Sequence, residues 1–179
     1  MKPCRSVIPA SVGRARHATN HVQAALSGTG ELCVFVSVAM HVVVDMSGWF
    51  GAAATTRYFA VEPYRAVDTR SGLGMSGAFA AGANRSITLA PSPSPNTALP
   101  SAAVVRAIFA IVTAVRPTAV GYLTVHPCSS PVPAVSMVRF VTTDNAANGV
   151  AAVDDASGRW CVFASVSTHM VLDVNGYFA

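Results

Sequence analysis

The densest cluster of polar residues beside a predicted strand is Asp68-Thr69-Arg70, which is followed by a glycine-rich turn at residues 71–74. Glycine lets backbone amides approach a ligand closely, and the guanidinium of Arg70 offers a forked pair of hydrogen-bond donors. This pattern predicts a contact with a carbohydrate or an anion through these three residues. The alternative, which we favour, is structural: Asp68 would hold the turn by binding Arg70 or nearby backbone amides.

Two histidine–aspartate pairs occur at the same spacing, His41 with Asp45 and His169 with Asp173. Side chains four residues apart on a strand lie roughly 13 Å from each other, which is too far for one metal ion to bind both. We expect each aspartate to accept hydrogen bonds from the glycine-containing turn that follows it. The histidines are expected to be packed or to face solvent.

The remaining acidic and histidine residues match no motif for a metal or for catalysis. His17 and His21 have the same unsuitable spacing, and Asp144, Asp154 and Asp155 lie outside any D-x-D-x-D-G calcium loop. The sequence also lacks the Gly-x-Ser-x-Gly turn that presents a catalytic serine. We therefore predict no bound metal, no cofactor and no enzymatic activity.

The composition narrows the function classes further. Charged residues make up 11% of the chain and apolar residues 52%, which argues against disorder. The net charge is +4, but the basic residues are scattered singly, so no nucleic-acid partner is expected.

The most apolar stretches, residues 32–46 and 102–115, are interrupted by polar residues and shorter than the roughly 20 residues of a membrane span. Residues 1–4 do not begin a signal peptide, so we expect a processed fragment or export by another route, as for a virion protein.

The chain contains an internal repeat. Residues 20–50 align without gaps to residues 148–178, with 14 of 31 positions identical. Further upstream, Pro3-Cys4 matches Pro127-Cys128. The repeat predicts a complete unit at residues 58–179, a linker at residues 51–57, and in residues 1–50 the C-terminal half of a preceding unit.

The four cysteines open and nearly close each copy of the repeat. The simplest pairing is Cys4 with Cys33 and Cys128 with Cys161, one bridge per copy. Each bridge would contribute about 3–4 kcal/mol on the chain-entropy model and would indicate an oxidising compartment. The alternative is four buried thiols.

Half a β-domain leaves strand edges unpaired and one apolar face uncovered. Three outcomes are open for residues 1–50. They could pack on the complete unit as an extra layer, or be completed by another chain, which would build an oligomer or filament by strand exchange. The residues that complete them could also be missing from this sequence.

Strand signals dominate the whole chain. Hairpins are predicted for residues 31–38 with 41–45, for 103–115 with 120–126, and for 159–166 with 169–174. Shorter strands are expected elsewhere, and the Asn-Gly pairs at residues 148–149 and 175–176 are predicted turns. This pattern favours an antiparallel β-sandwich of jelly-roll type.

Four segments together resemble the repeat module of secreted and cell-surface proteins of actinobacteria. They are residues 67–74 (VDTRSGLG), 121–128 (GYLTVHPC), 160–163 (WCVF) and 172–178 (LDVNGYF). The resemblance covers the complete unit and, as a half copy, residues 3–50. It implies an extracellular, disulfide-containing, all-β module without established catalytic residues. The first copy departs from the pattern because it lacks the Asp-Thr-Arg segment.

Two functions follow as expectations, both non-enzymatic and extracellular or at the cell surface. One is adhesion to envelope polysaccharide or to a partner protein, including service as the carbohydrate-binding accessory module of a secreted enzyme. The other is self-assembly with copies of the same chain into a filament, surface layer or virion appendage. Sugar rings could stack on exposed aromatic residues, for which the candidates are Trp49, Tyr58, Tyr64, Trp160 and Tyr177.

Overall fold

The computed structural model describes residues 19–36, 38–89, 99–100, 104–155 and 157–179. Regular secondary structure in these ranges is entirely β, with eight strands and no helix, as the sequence predicts. No helix that could cross a membrane therefore occurs in the described ranges. In chain order the strands are β1 (Tyr58–Asp68), β2 (Ala83–Ile87), β3 (Ala107–Val115), β4 (Gly121–Pro127), β5 (Val138–Phe140), β6 (Ala146–Val153), β7 (Trp160–Ala164) and β8 (His169–Phe178).

The strands form two four-stranded antiparallel sheets, with the orders β1-β8-β3-β6 and β2-β7-β4-β5. Two sheets connected in this order make a jelly roll, a sandwich built from two Greek keys. Each pairing joins one of β1–β4 to one of β5–β8. We call residues 58–127, which carry β1–β4, the N-terminal half, and residues 138–178, which carry β5–β8, the C-terminal half.

The core lies between the two sheets and follows the alternation of the strands. Along β3, Ile108, Ala110, Val112 and Ala114 are buried, while the residues between them are partly exposed. Branched and small apolar side chains of this kind suit a pleated surface. The facing sheet contributes buried residues such as Leu123, Val125 and Val162. Alternation along the chain therefore decides which side chains hold the sandwich together.

Two predicted hairpins of the complete unit are wrong. The sequence predicts that residues 103–115 pair with residues 120–126, but β3 pairs with β6 and β8, while β4 lies in the other sheet. Likewise, β7 and β8 belong to different sheets, so residues 159–166 do not pair with residues 169–174. Each of these short links crosses from one sheet to the other. Loop length alone does not distinguish such a crossing from a hairpin turn.

The Asn-Gly pairs at residues 148–149 and 175–176, which are predicted turns, lie inside β6 and β8. A glycine within a strand often marks a close approach by another group. Here a Cβ on Gly176 would collide with the ring of Tyr58, and Gly149 is also covered by aromatic rings. These glycines make room for aromatic side chains instead of turning the chain.

The first copy of the repeat also differs from the prediction. Strands are expected at residues 31–38 and 41–45, yet none of the described residues 19–36 and 38–57 lies in a strand. By the alignment these segments correspond to β7 and β8, which pair with β2 and β4 and with β1 and β3. This sequence holds one set of those partner strands, and the complete unit uses it.

Candidate functional site

The turn after β1 is held by Asp68, which is almost completely buried. Its Oδ1 accepts hydrogen bonds from the backbone N–H of Arg70 (3.0 Å) and from its Nε (2.9 Å), and its Oδ2 accepts from Nη2 (2.7 Å). These bonds from Arg70 lower the pKa of Asp68 to about 2. The structure therefore shows Asp68 holding the turn through Arg70, an arrangement that we call the clamp. A ligand contact by Asp68, Thr69 and Arg70 stays a prediction.

Thr69 is buried beside this clamp and joins the end of β1 to the start of β8. Its Oγ1 accepts a hydrogen bond from the backbone N–H of Met170 (2.9 Å) and lies 2.9 Å from Nδ1 of His169. The hydroxyl oxygen can accept a second bond from a protonated Nδ1, and the hydroxyl proton can be donated to an unprotonated one, so the contact is compatible with either tautomer of His169. The contact orients His169 on the strand.

Arg65 and Asp173 form an ion pair across β1 and β8, where they are partners in the strand register. Oδ1 of Asp173 accepts from Nε (2.8 Å) and Oδ2 accepts from Nη2 (3.1 Å), a two-pronged geometry that favours both charges. The hydrogen bond that Arg65 donates to Asp173 raises the pKa of Arg65. The prediction that Asp173 accepts hydrogen bonds from a turn at residues 175–176 is wrong, because those residues continue β8.

A shallow cavity of about 470 Å³, largely open to solvent, lies beside this ion pair, on the sheet that contains β1 and β8. Its walls combine apolar, aromatic and charged groups. The Oδ1 atom of Asn175 is buried and has no hydrogen-bond partner in the described part of the chain. The residues that line the cavity are Pro63, Tyr64, Arg65, Ile111, Asp173 and Asn175.

A row of aromatic rings crosses the same sheet. Tyr58 lies 5.2 Å from Phe178 and 6.4 Å from Phe109, measured between ring centroids, and its hydroxyl donates to the backbone oxygen of Asn175 (3.2 Å). The row continues at both ends onto the first copy of the repeat: Phe50 lies 6.1 Å from Phe178, and His21 lies 5.3 Å from Phe109. These ring contacts place two residues of the first copy against the complete unit.

The acidic residues considered for calcium do not form a calcium site in the described ranges. Oδ1 of Asp155 accepts from the backbone N–H and the hydroxyl of Ser157 (2.9 and 2.6 Å) and from the backbone N–H of Arg159 (2.9 Å). These bonds, chiefly the one from the Ser157 hydroxyl, lower the pKa of Asp155 to about 2. Burial raises the pKa of Asp154, and Asp144 is exposed. No group of three or more His, Cys, Asp or Glu residues within the described ranges could hold a metal ion.

The aromatic residues proposed for stacking on sugars divide into two sets. Trp160 and Tyr64 are buried in the core, and Tyr177 is partly buried against it. Tyr58 and Trp49 are exposed. A sugar ring could therefore reach Tyr58, Trp49 and the exposed part of Tyr177 without a rearrangement of the core.

One disulfide staples the complete unit. Cys128, which follows β4, is joined to Cys161 of β7, as the repeat predicts. Cys33 of the first copy is also disulfide-bonded. Its predicted partner, Cys4, lies outside the described residues, as does His17.

The feature with the clearest functional meaning lies outside the predicted polar sites. We call residues 32–50 the unpaired segment in the sense of strand pairing alone, since none of its described residues lies in a strand, while Cys33 within it is disulfide-bonded. The sequence already predicts an uncovered apolar face here, but it gives no means of finding the Arg65–Asp173 pair, whose members are 108 residues apart. The large apolar residues exposed in the segment are Leu32, Val34, Phe35, Val36, Val38, Met40, Val42, Val43, Val44, Met46, Trp49 and Phe50.

Comparisons with known proteins do not identify a relative. No family model matches this chain, and no curated protein or solved structure matches it. The arrangement of the residues themselves must therefore carry any proposal about function.

Proposed function

We propose that this chain is a non-enzymatic, extracellular structural module that assembles with other polypeptides through its unpaired segment, residues 32–50. The disulfide between Cys128 and Cys161 supports an oxidising location. The resemblance to actinobacterial surface repeats supports the same location. Copies of this chain are the first partners to consider, in a filament, surface layer or virion appendage.

The observation that carries the proposal is the exposure of the unpaired segment. Val43 is 84% exposed and Met46 is 83% exposed, whereas their counterparts in the complete unit, Val171 and Val174, are 4% and 0% exposed. Burying an apolar side chain of this size contributes about 1.5–3 kcal/mol. A contiguous exposed apolar surface is typical of a site that binds another protein.

The polar groups of the complete unit support a role without catalysis. The buried residues Asp68, Thr69 and Asp155 have structural hydrogen bonds, whereas two buried side-chain oxygens, Oδ1 of Asn148 and Oδ1 of Asn175, have no partner among the described residues. His126 is similar, since its Nε2 lies 3.1 Å from Oδ1 of Asn84 and its Nδ1 lies 2.8 Å from the oxygen of Pro127. Groups committed in this way hold turns and strands in place.

Sedimentation velocity on the disulfide-intact chain tests the proposal. We expect the mean mass to rise with concentration, because association buries the unpaired segment. Met46→Asp should weaken this association by placing a charge in the segment. Ala25→Asp is the matched control, since Ala25 and its counterpart Val153 are both exposed. A chain that stays monomeric at the highest concentration, or an equal effect of both variants, would contradict self-assembly.

A second candidate function is contact with envelope polysaccharide at the cavity beside Asn175. The specific observation is the buried Oδ1 atom of Asn175, an acceptor with no partner among the described residues, close to the charged pair Arg65–Asp173. A sugar hydroxyl could donate to this oxygen once a turn of the amide side chain exposes it to the cavity. Pull-down with purified cell-wall polysaccharide should retain the wild-type chain and retain Asn175→Ala less. Absence of binding by the disulfide-intact wild type would remove this candidate.

A further inference from the structure

We propose that the chain binds an acidic polysaccharide, one that carries carboxylate groups, on the outer face of the β2-β7-β4-β5 sheet. The site is a line of side chains, one from each strand, which we call the cross-sheet stripe. It contains no residue of the unpaired segment and lies on a different sheet from the cavity beside Asn175, so the inference goes beyond the proposed self-assembly. The members of the stripe are Arg139 of β5, Tyr122 of β4, Phe163 of β7 and Asn84 of β2.

Alternation along the strands places the stripe on the face that points away from the core. Leu123 of β4 and Val162 of β7 belong to the core. Their neighbours Tyr122 and Phe163 therefore point the other way, because successive side chains of a strand alternate between the two faces. Along β5, Arg139 is exposed between two buried residues.

The strand register sets the four side chains next to one another. Arg139 is the partner of Tyr122, and Asn84 is the partner of Phe163. The rings of Tyr122 and Phe163 connect the two pairs, with their centroids 5.8 Å apart. Because neighbouring strands lie about 4.8 Å apart, the stripe spans roughly 14 Å across the sheet. An extended oligomer could contact all four side chains at once.

The two rings supply the apolar part of the site. Both are partly exposed, and they are tilted by 45° to each other. The negative face of an aromatic ring attracts the C–H groups on the face of a sugar ring. None of the large apolar residues exposed in the described ranges belongs to β2, β4, β5 or β7. This face therefore lacks the contiguous apolar surface typical of a protein-binding site and suits a mostly polar ligand with apolar ring faces.

Asn84 supplies a polar group whose orientation is fixed by His126. Nδ1 of His126 donates to the oxygen of Pro127 (2.8 Å), because a carbonyl oxygen only accepts. Nε2 lies 3.1 Å from Oδ1 of Asn84. A protonated ring would donate to this oxygen, and a neutral ring would accept from the amide nitrogen after the amide turns over. In either state His126 holds one end of the amide, and the other end is left for a sugar hydroxyl.

Arg139 accounts for the acidic character of the ligand. Its side chain is exposed, and the ion pairs of the described ranges involve Arg65, Arg70 and Arg159 instead. An arginine can bind a carboxylate through two parallel hydrogen bonds. The strands β2, β4, β5 and β7 contain no aspartate or glutamate that would repel an anion.

The strands beneath the stripe are already fixed before a ligand binds. The backbone N–H of Tyr122 donates to Oγ of Ser165 (2.8 Å), and the hydroxyl of Thr124 donates to the oxygen of Val135 (2.5 Å). The disulfide at Cys161 ties β7 to the residue that follows β4. Binding would therefore require little ordering of the site, which favours affinity.

Titration of the disulfide-intact chain with oligogalacturonate, followed by NMR, tests the proposal. Phe163→Leu keeps an apolar side chain but removes the ring, so it should weaken binding about tenfold or more. Phe59→Leu is the matched control, because it removes an exposed ring from the other sheet and should leave binding unchanged. Tyr122→Phe keeps its ring and should bind like the wild type. In the wild type, amide resonances should shift at residues 83–86, 121–124, 138–140 and 161–165.

A change of charge tests the class of ligand. Arg139→Ala should abolish the preference for oligogalacturonate over cellohexaose, an uncharged oligosaccharide. Arg57→Ala removes the same charge from an exposed position outside the stripe and should retain the preference. Polyglutamate of equal charge should bind more weakly, since it has no sugar rings. Equal binding of polyglutamate would show that the face recognises charge alone, as on an acidic protein, and would overturn the proposal.

Two further variants separate this site from the surfaces described under the proposed function. Met46→Asp, which is expected to weaken self-association, should bind oligogalacturonate like the wild type, and so should Asn175→Ala. Absence of binding by the wild type would overturn the inference, as would a loss in Asn175→Ala with none in Phe163→Leu. Neither result bears on self-assembly, which is judged by sedimentation of the chain without a glycan.

Discussion

The two copies of the repeat are identical at 14 of 31 aligned positions, but only the second copy forms strands in the described ranges. Residues 160–164 and 169–178 form β7 and β8, while residues 32–36 and 41–50 lie outside any strand. Local preference is nearly the same in both, since each is rich in β-branched and aromatic residues. The difference shows that strand formation here depends on the partner strands of the N-terminal half.

Two aromatic residues of the first copy contact the complete unit. Phe50 and His21 contact Phe178 and Phe109, which belong to the outer row of aromatic rings. The side chains between them, such as Val43, remain exposed. Ring contacts at two points therefore hold the first copy near the complete unit but do not replace a sheet.

The largest contrast is expected for a core residue of β8. Leu172→Ala should lower the free energy of unfolding by about 3–5 kcal/mol, because Leu172 is fully buried and its removal leaves a cavity. Val44→Ala, at the matching position of the first copy, should change it by less than about 0.5 kcal/mol. Urea unfolding of the disulfide-intact chain measures both. Equal losses would show that the first copy is folded in the same way.

The disulfides offer the next contrast. Replacement of Cys128 and Cys161 by serine should lower the free energy of unfolding by about 3–4 kcal/mol, since the bridge closes a loop with a sequence separation of 33. Replacement of Cys4 and Cys33 should leave unfolding of the complete unit unchanged, because Cys33 lies outside the eight strands. Thermal unfolding by circular dichroism distinguishes them. A comparable loss of stability after both replacements would contradict the expectation that only the bridge between Cys128 and Cys161 stabilises the complete unit.

A matched pair of glycines gives a smaller effect. Gly176→Ala should lower the free energy of unfolding by about 1–2 kcal/mol, because its Cβ would displace the ring of Tyr58 from the aromatic row. Gly48→Ala should be neutral in the isolated chain, since nothing lies within 4 Å of a Cβ there. An unchanged free energy of unfolding in both variants would mean that the ring of Tyr58 does not need the space beside Gly176.

Much of the architecture can be predicted from the sequence, because the signals are local or repeated. Alternation along β3 marks the buried residues Ile108 and Val112. The matched positions of Cys128 and Cys161 within the repeat predict the bridge that joins them. Neither signal requires knowledge of which strands are neighbours, so the sandwich and its disulfide can be predicted from the sequence.

The pairings could not be predicted, because they join segments far apart in the chain. A short link between neighbouring strands such as β3 and β4 favours a hairpin prediction, yet the two strands lie in opposite sheets. The ion pair between Arg65 and Asp173 depends on that same topology. Asn175 and Gly176 look like a turn until the ring of Tyr58 is placed over the strand. Non-local packing overrides local preference at each of these positions.

The smallest predicted effect is a response to acid that belongs to the complete unit. The pKa of Asp68 is about 2, below its value near 4 in the unfolded chain, so its stabilising contribution is present above pH 4 and is lost as the pH falls toward 2. The contribution is about 0.5–1 kcal/mol once screening of this ion pair by solvent is allowed for. Urea midpoints at pH 6 and pH 2.5 should therefore differ less in Asp68→Asn than in the wild type. The first copy has no Asp-Thr-Arg segment and has Ser27 at the position of Asp155, so neither acidic contact has a counterpart there. An unaltered response in Asp68→Asn would place the acid-sensitive contact elsewhere, with Asp155 and its bonds to Ser157 the next to vary.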